Sequence, residues 1–132
     1  RPPVLGGRDH RSDAAPAFQL YCHCRDCQRA SGSASAPIIF FPEADLTVEG
    51  EVRYFASTGS SGKTIYRGFC PTCGSQLFGR LERMPGMLSI RAGTLDDPSV
   101  FQPRLHIHTS QAVPWEPMDT SLRTFAHDVT QK

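Results

Sequence analysis

The sequence predicts a mainly β domain of short antiparallel strands that carries metal-binding cysteines. Eleven glycines and eleven prolines in 132 residues imply frequent turns, which suit short strands better than long helices. Several segments alternate apolar and polar residues with a period of two, as strands with one buried face do. All the cysteines fall in two close groups, C-x-C-x-x-C at Cys22, Cys24 and Cys27, and C-x-x-C at Cys70 and Cys73.

The length of the chain predicts a single folded domain with short extensions. Residues 1–16 are rich in Pro, Arg and Asp without periodicity, and we expect a loose N-terminal arm. Residues 17–126 carry the alternating segments and both cysteine groups, so we expect the folded domain there. Residues 127–132 form a polar C-terminal tail.

The first predicted strand is residues 18–24, where Phe18, Leu20, Cys22 and Cys24 share one face. Residues 25–30 favour one short helical turn that ends at the Ser-Gly-Ser of residues 31–33. Because side chains two apart in a strand point the same way, such a turn brings Cys27 toward the two preceding thiols.

The remaining alternating or apolar segments predict further strands, with the glycine-rich residues 57–63 as a loop. Residues 46–48 and 52–55 suggest a hairpin about residues 49–51. Trp115 is expected to lie on the core. Strands are predicted at residues 36–42, 46–48, 52–55, 64–69, 76–79, 87–92 and 105–108.

Charge and hydropathy argue against several classes of function. The net charge is +1 and the basic residues are spread along the chain, whereas a nucleic-acid surface is usually a basic patch or stripe. No apolar run reaches membrane-spanning length, and residues 1–7 have no apolar signal core. We therefore expect no nucleic-acid or membrane partner, and a cytoplasmic location, where closely spaced cysteines are more often metal ligands or redox groups than disulfides.

The C-x-x-C pair followed by Gly74 has the pattern of a zinc knuckle, because the turn lets both sulfurs face one ion. Thioredoxin-like redox sites share this spacing but occur near a βαβ pattern, which this sequence lacks. Zinc is therefore favoured for Cys70 and Cys73.

The C-x-C-x-x-C group is more informative because it offers three thiolates. Structural zinc sites have four protein ligands, whereas catalytic sites have three and an open position. Four of the five thiols can form a single closed site. Alternatively, Cys22, Cys24 and Cys27 hold their own ion, and Cys70 and Cys73 form half of another. Spacing alone leaves both arrangements open.

Several stretches together resemble the glutathione-dependent formaldehyde-activating family, whose domain the centromere protein V relatives share. The resemblance covers about residues 17–126. It is carried by CHCRDCQRASG at 22–32, RGFCPTCGS at 67–75, RAGTLDDP at 91–98, HIH at 106–108 and Pro-Trp at 114–115.

The resemblance implies an Mss4-like, β-rich fold with two zinc sites. It implies that Cys22, Cys24 and Cys27 form the catalytic zinc site, and that Cys70 and Cys73 are half of a structural site. The family usually opens with Gly-Gly-Cys-x-Cys, whereas this chain has Arg8, Asp9 and His10 after its glycine pair. The structural site is thus expected to be weak, absent or bound by only part of its usual ligand set, which would lower stability.

Histidine and arginine side chains supply further candidates. His23 alternates away from the thiols, so we expect it to orient or pack. His106 and His108 share one face of a predicted strand and can reach a pocket as a base or hydrogen-bond donor. The cations that can pair with the carboxylates of a peptide-like thiol are Arg25, Arg29, Lys63 and Arg67.

The function expected from the resemblance is that of a zinc-dependent carbon–sulfur lyase. Its partners would be a glutathione-like thiol and a small aldehyde such as formaldehyde. A zinc ion held by three thiolates is a weak Lewis acid, but it keeps an incoming thiol deprotonated, which suits thiol chemistry. The alternatives are a non-catalytic zinc module for a protein partner and a thiol redox protein.

Overall fold

The computed structural model describes residues 18–46, 48, 50–59 and 62–128. Its main element is one sheet of short strands, with a single α-helix, α1 (Arg25–Ser31), in the described residues. The strands are β1 (Phe18–Cys22), β2 (Ala36–Pro42), β3 (Arg53–Thr58), β4 (Thr64–Phe69), β5 (Gln76–Leu81), β6 (Met87–Arg91), β7 (Leu105–Ile107) and β8 (Arg123–Thr124). The prediction of a mainly β fold is confirmed.

The strands lie in the order β3-β4-β5-β6-β2-β1-β7-β8, so β2 and β6 are central. The pairings from β3 to β1 are antiparallel, as predicted. However, β7 runs parallel to both its neighbours, with Leu105 opposite Leu20 of β1 and Arg123 of β8. The sheet therefore places residues near the C-terminus directly beside the first cysteine group.

Most predicted strand positions are confirmed, because alternation and proline boundaries define them locally. Strands 36–42 and 64–69 have the predicted bounds. The hairpin predicted about residues 49–51 includes residues 47 and 49, which lie outside the described residues; β3 pairs along its length with β4. The prediction for Trp115 was wrong, since its side chain is 68% exposed. It lies in a turn beside Pro114, and turns run over the surface.

The alternation of β2 divides the core into two clusters on opposite faces of that strand. Ile39 and Phe41 pack with the cluster that contains Cys70, Phe78 and Leu88. The other face of β2 packs with Cys22, Cys27, Leu20 and Ile107 through Ile38 and Phe40. The two cysteine groups therefore belong to different parts of the core.

The predicted arm at residues 1–16 lies outside the described residues, and so does most of the tail at 127–132. The start of that tail contacts the domain, because His127 accepts a hydrogen bond from the His108 N–H (3.0 Å) and Asp128 pairs with Arg83 (2.8 Å). Among the described helices, none is long and apolar enough to cross a membrane.

Replacing Phe78 tests the core cluster that contains Cys70, Phe78 and Leu88. Its side chain is 1% exposed, so Phe78→Ala should lower the free energy of unfolding by about 3–5 kcal/mol through lost burial and a residual cavity. The matched control is Phe55→Ala on the edge strand, where the ring is 64% exposed and we expect a change within about 0.5 kcal/mol. Urea unfolding measures both. Equal losses in the two variants would contradict this assignment of the core.

Candidate metal centre

The thiols of Cys22, Cys24 and Cys27 converge where β1 passes into α1. Their three sulfur atoms all lie within 4.8 Å of one another. Cys22 is the last residue of β1, Cys24 is extended at the N-cap of α1, and Cys27 lies in the first turn of the helix. The strand-then-turn arrangement predicted for this stretch is confirmed, with the helix one residue longer.

Hydrogen bonds to the cysteine backbone and sulfur fix the junction. The Cys27 N–H donates to Cys24 Sγ (3.3 Å), so this thiol serves as the helix cap that Ser or Asp more often provides. The Gln28 N–H donates to the Cys24 carbonyl (3.0 Å), and the His23 N–H donates to the Ile107 carbonyl of β7 (3.1 Å). The sulfurs are therefore held partly by their own turn and partly by a distant strand.

The buried Gln28 joins the junction to the segment after β7. Its Nε2 donates to the carbonyls of His23 (2.7 Å) and Gln111 (2.9 Å), while its Oε1 accepts from the Arg25 guanidinium. The Arg25 N–H in turn donates to Gln111 Oε1 (2.8 Å). These bonds satisfy polar groups of the helix start and set its position relative to β7.

Behind the cluster, His23 and His106 form a buried imidazole pair. His23 Nε2 lies 2.8 Å from His106 Nδ1, and His106 Nε2 lies 3.0 Å from the Asp119 carbonyl oxygen. Because a carbonyl only accepts, His106 carries its proton on Nε2 and accepts the His23 N–H on Nδ1. Burial lowers the pKa of His23, with His106 as the second cause. His23 thus packs and orients, as expected from its alternation.

A cavity of about 150 Å³ opens onto the three thiols. Apolar side chains of β1, β2 and β7 form one part of its wall, and charged groups form another. Of the cations proposed from the sequence, Arg25 and Arg67 line it, whereas Arg29 and Lys63 do not. The unpredicted polar lining residues are Asp26, Arg83, Ser89, Arg91, Gln111 and Asp128.

The two histidines near β7 have different surroundings, although the sequence placed them on one face. β7 ends at Ile107, and His108 adopts the left-handed conformation (φ 56°), which interrupts the alternation. His108 lines the cavity, whereas His106 stacks on Tyr21 at 5.2 Å. Positive φ is uncommon in a residue with a Cβ and is often found at functional sites.

Arg91 is the main site residue that the sequence reasoning missed. It follows Ser89 by two residues in β6, so both side chains share a face, and both line the cavity. The arginine is only 8% exposed. A charged residue at a buried position of a strand was the available signal, because such charges are rarely buried without a partner.

The pKa values of the three thiols differ from one another before any metal binds. Hydrogen bonds from Cys22 and Cys24 lower the pKa of Cys27 to about 3, assisted by the charges of Arg91 and Arg67. Hydrogen bonds to Cys24 and Cys27, then burial, raise the pKa of Cys22. For Cys24, the bond from Cys22 lowers the pKa, but the bond to Cys27 and burial raise it more. Cys27 is therefore a thiolate to which neighbouring thiols donate.

This donor set fits zinc. Sulfur ligands at about 2.3 Å in a tetrahedral site lie roughly 3.8 Å apart, which is compatible with the observed limit of 4.8 Å. In the described part of the chain, no fourth Cys, His, Asp or Glu joins the group. Of the two arrangements left open by the spacing, the geometry favours a separate site for Cys22, Cys24 and Cys27.

The second cysteine group forms the predicted knuckle turn on the other side of the core. The Thr72 N–H donates to Cys70 Sγ (3.4 Å), and Gly74 has the positive φ (79°) that favours glycine. Cys73 is exposed, and the Ser75 hydroxyl, 3.1 Å from its sulfur, lowers its pKa. Arg8, Asp9 and His10, which follow the N-terminal glycine pair, lie outside the described residues.

The fold and the site together define a β-rich protein with a three-thiol cluster on a small charged cavity. The comparison with protein families agrees: residues 9–111 match the glutathione-dependent formaldehyde-activating enzyme family. The match covers well over half of the chain, so the protein belongs to this family. No curated protein sequence matches it.

The low pKa of Cys27 can be observed as thiolate absorbance in the ultraviolet. An ordinary cysteine has a pKa near 8.5, so it is protonated at about pH 6. With metal removed, the wild-type protein should keep one buried thiolate as the pH falls well below neutrality, since the pKa of Cys27 is about 3. Cys27→Ser should abolish this absorbance. The Cys73→Ser control should remove only the signal of the exposed thiol, and a titration of Cys27 near pH 8 would contradict the assignment.

Proposed function

We propose that this protein is a zinc-dependent carbon–sulfur lyase that joins a thiol and a small aldehyde. The observation that carries the proposal is the meeting of three cysteine sulfurs within 4.8 Å on the wall of a cavity that buried arginines also line. A closed structural site would bury four protein ligands instead. Membership of the formaldehyde-activating family supports the reaction class and the glutathione-like thiol.

The reaction adds the thiol to the carbonyl carbon of the aldehyde. A carbon–sulfur bond forms, the carbonyl π bond breaks, and its electron pair passes to oxygen. The proton lost from sulfur ends on that oxygen through solvent, giving a hydroxymethyl thioether when the aldehyde is formaldehyde. The step is reversible and needs no oxidant or reductant.

Cys22, Cys24 and Cys27 are the residues that would hold zinc, and we assign the catalytic site to them. Bound there, zinc would keep the substrate thiol deprotonated near neutral pH. The protein contributes the preformed turn: the Cys27 N–H to Cys24 Sγ bond and the Gln28 bonds hold the ligands before binding. This preorganisation lowers the ordering cost of metal binding.

The cavity has room for the reacting groups but not for the rest of the thiol substrate. At about 150 Å³ it is smaller than the roughly 300–1,000 Å³ of pockets that enclose drug-sized ligands. The thiol and the aldehyde enter, while the remainder of a peptide-like thiol lies at the mouth. The exposed Arg25, on the first turn of α1, is placed to attract its carboxylates.

Cys70 and Cys73 are proposed as half of a second, structural zinc site. The support is local: the turn aims the Thr72 N–H at Cys70 Sγ, the outer contact that zinc-binding turns give their sulfur ligands. The two cysteine groups belong to clusters on opposite faces of β2. Metal in this knuckle would therefore stabilise the fold without entering the reaction.

Metal analysis combined with an NMR assay of ¹³C-formaldehyde and glutathione tests the proposal. Wild-type protein purified without chelator should contain zinc and accelerate formation and exchange of the hydroxymethyl adduct. Cys24→Ser should lose the zinc of the cavity and at least about 10²-fold in rate, because the substrate thiol is no longer activated.

The matched control is Cys73→Ser, the same substitution outside the cavity. It should keep the cavity zinc and most of the activity per folded molecule, with lower thermal stability. Zinc-loaded wild-type protein without activity toward any thiol and aldehyde would overturn the lyase proposal and favour a non-catalytic zinc module.

A further inference from the structure

Two buried guanidiniums on the cavity wall have N–H groups with no acceptor. Arg67 and Arg91 are each 8% exposed. Arg67 Nη1 donates to Ser57 Oγ (2.8 Å), and Arg91 Nε donates to Gln76 Oε1 (2.9 Å). Within the described residues, Arg67 Nε and Arg91 Nη1 are buried and find no hydrogen-bond partner, cysteine sulfur included.

Charge balance alone does not account for this arrangement. The arginines stabilise the Cys27 thiolate at a distance, and each also repels the other. A role in neutralising the thiolates would be served better by direct N–H to sulfur bonds, which these two atoms do not make. Three thiolates and a divalent cation would together carry net negative charge, and two guanidiniums would turn the total positive, because the other charged lining residues, two arginines and two aspartates, cancel. The cavity is therefore prepared for additional negative charge.

The sheet register brings the two arginines to one wall of the cavity. Arg67 of β4 is opposite Gly79 of β5, and Gly79 is opposite Ser89 of β6, with Arg91 two residues further on the same face. All four residues line the cavity. A Cβ on Gly79 would lie 2.9 Å from Ser89 Oγ, so glycine is what allows the Ser89 hydroxyl to lie there and donate to the Gly79 carbonyl.

We propose that Arg67 and Arg91 form an oxyanion subsite that binds the carbonyl oxygen of the second substrate, an inference that rests on the proposed lyase function. When sulfur adds to the carbonyl carbon, the displaced π electrons make that oxygen an alkoxide. The guanidiniums of Arg67 and Arg91, which line the cavity, stabilise this charge until a solvent proton completes the hydroxymethyl group. Donors fixed in advance stabilise such charge without reorganisation.

The same chemistry defines the ligand class of the subsite: a small oxyanion next to a carbon the size of the aldehyde carbon. Formate has this size and charge and cannot undergo the addition. It therefore serves as a binding probe that does not depend on turnover. We expect zinc-loaded protein to bind formate, and formate to compete with the aldehyde.

Lysine substitutions remove the guanidinium donors while keeping the positive charge. Arg91→Lys and Arg67→Lys keep the charge but lose the planar guanidinium, so each should weaken formate binding at least about tenfold and lower kcat by about 10²–10³-fold. Zinc content and the KM for the thiol should change little. The control is Arg104→Lys, an exposed arginine away from the cavity, which should behave as wild type.

Gly79→Ala provides an independent variant that retains both arginines. Its methyl group would displace the Ser89 hydroxyl from the cavity wall beside the arginines, so formate binding should weaken with zinc content unchanged. This readout remains decisive if a lysine variant does not fold.

Failure of the subsite and failure of the lyase proposal give different results. Formate binding and kcat that are unchanged in both folded lysine variants would overturn the subsite while leaving the lyase function intact. Arginine-dependent formate binding in a protein that forms no carbon–sulfur bond would support the subsite and overturn the lyase function. Formate is followed by isothermal calorimetry or by ¹³C NMR line broadening.

Discussion

The hydrogen-bonded junction between β1 and α1 is the feature on which the site depends. The Cys24 sulfur caps the helix, Gln28 ties the turn to the Gln111 carbonyl, and the His23 N–H reaches β7. A shift of the turn by one residue would break each of these bonds. It would also move Cys27 away from the side on which Cys22 ends its strand. The spacing C-x-C-x-x-C is thus the sequence form of one local geometry, an extended pair followed by a helix start.

Local patterns were sufficient to predict much of this architecture. A short apolar run with flanking prolines identified β2, and the spacing of Cys22, Cys24 and Cys27 predicted their convergence, because both depend on neighbours in the chain. The parallel position of β7 was not predicted, since it depends on a pairing between residues more than eighty positions apart. The exposure of Trp115 was missed for a related reason: apolar character alone does not reveal a turn on the surface.

The cavity too was predicted only in part, because some of its residues are close in sequence and others are brought in by the sheet. The sequence named its sulfurs and Arg67, but Arg91 enters the site only because β4, β5 and β6 align their faces. Similarly, His106 and His108 looked equivalent until the backbone of His108 departed from the strand. The residues that surround the reacting atoms thus come from across the sheet, while the sulfurs come from one short stretch. Side chains of the sheet can therefore change the character of the cavity without altering the three-sulfur turn.

The pairing of β1 with β7 also bears on the order in which the protein is assembled. The three thiols lie within six positions, so the chain can close the loop between them at low entropic cost. The cavity, in contrast, requires β7, which is the last of its strands to be synthesised and must return to the first strand. Contacts so distant in sequence form slowly. We expect metal capture to precede formation of the cavity. Refolding experiments that measure zinc uptake and, separately, the binding of a probe in the cavity, without relying on tryptophan fluorescence, would resolve the order. A newly made chain would then hold its ion before it has a site in which to use it.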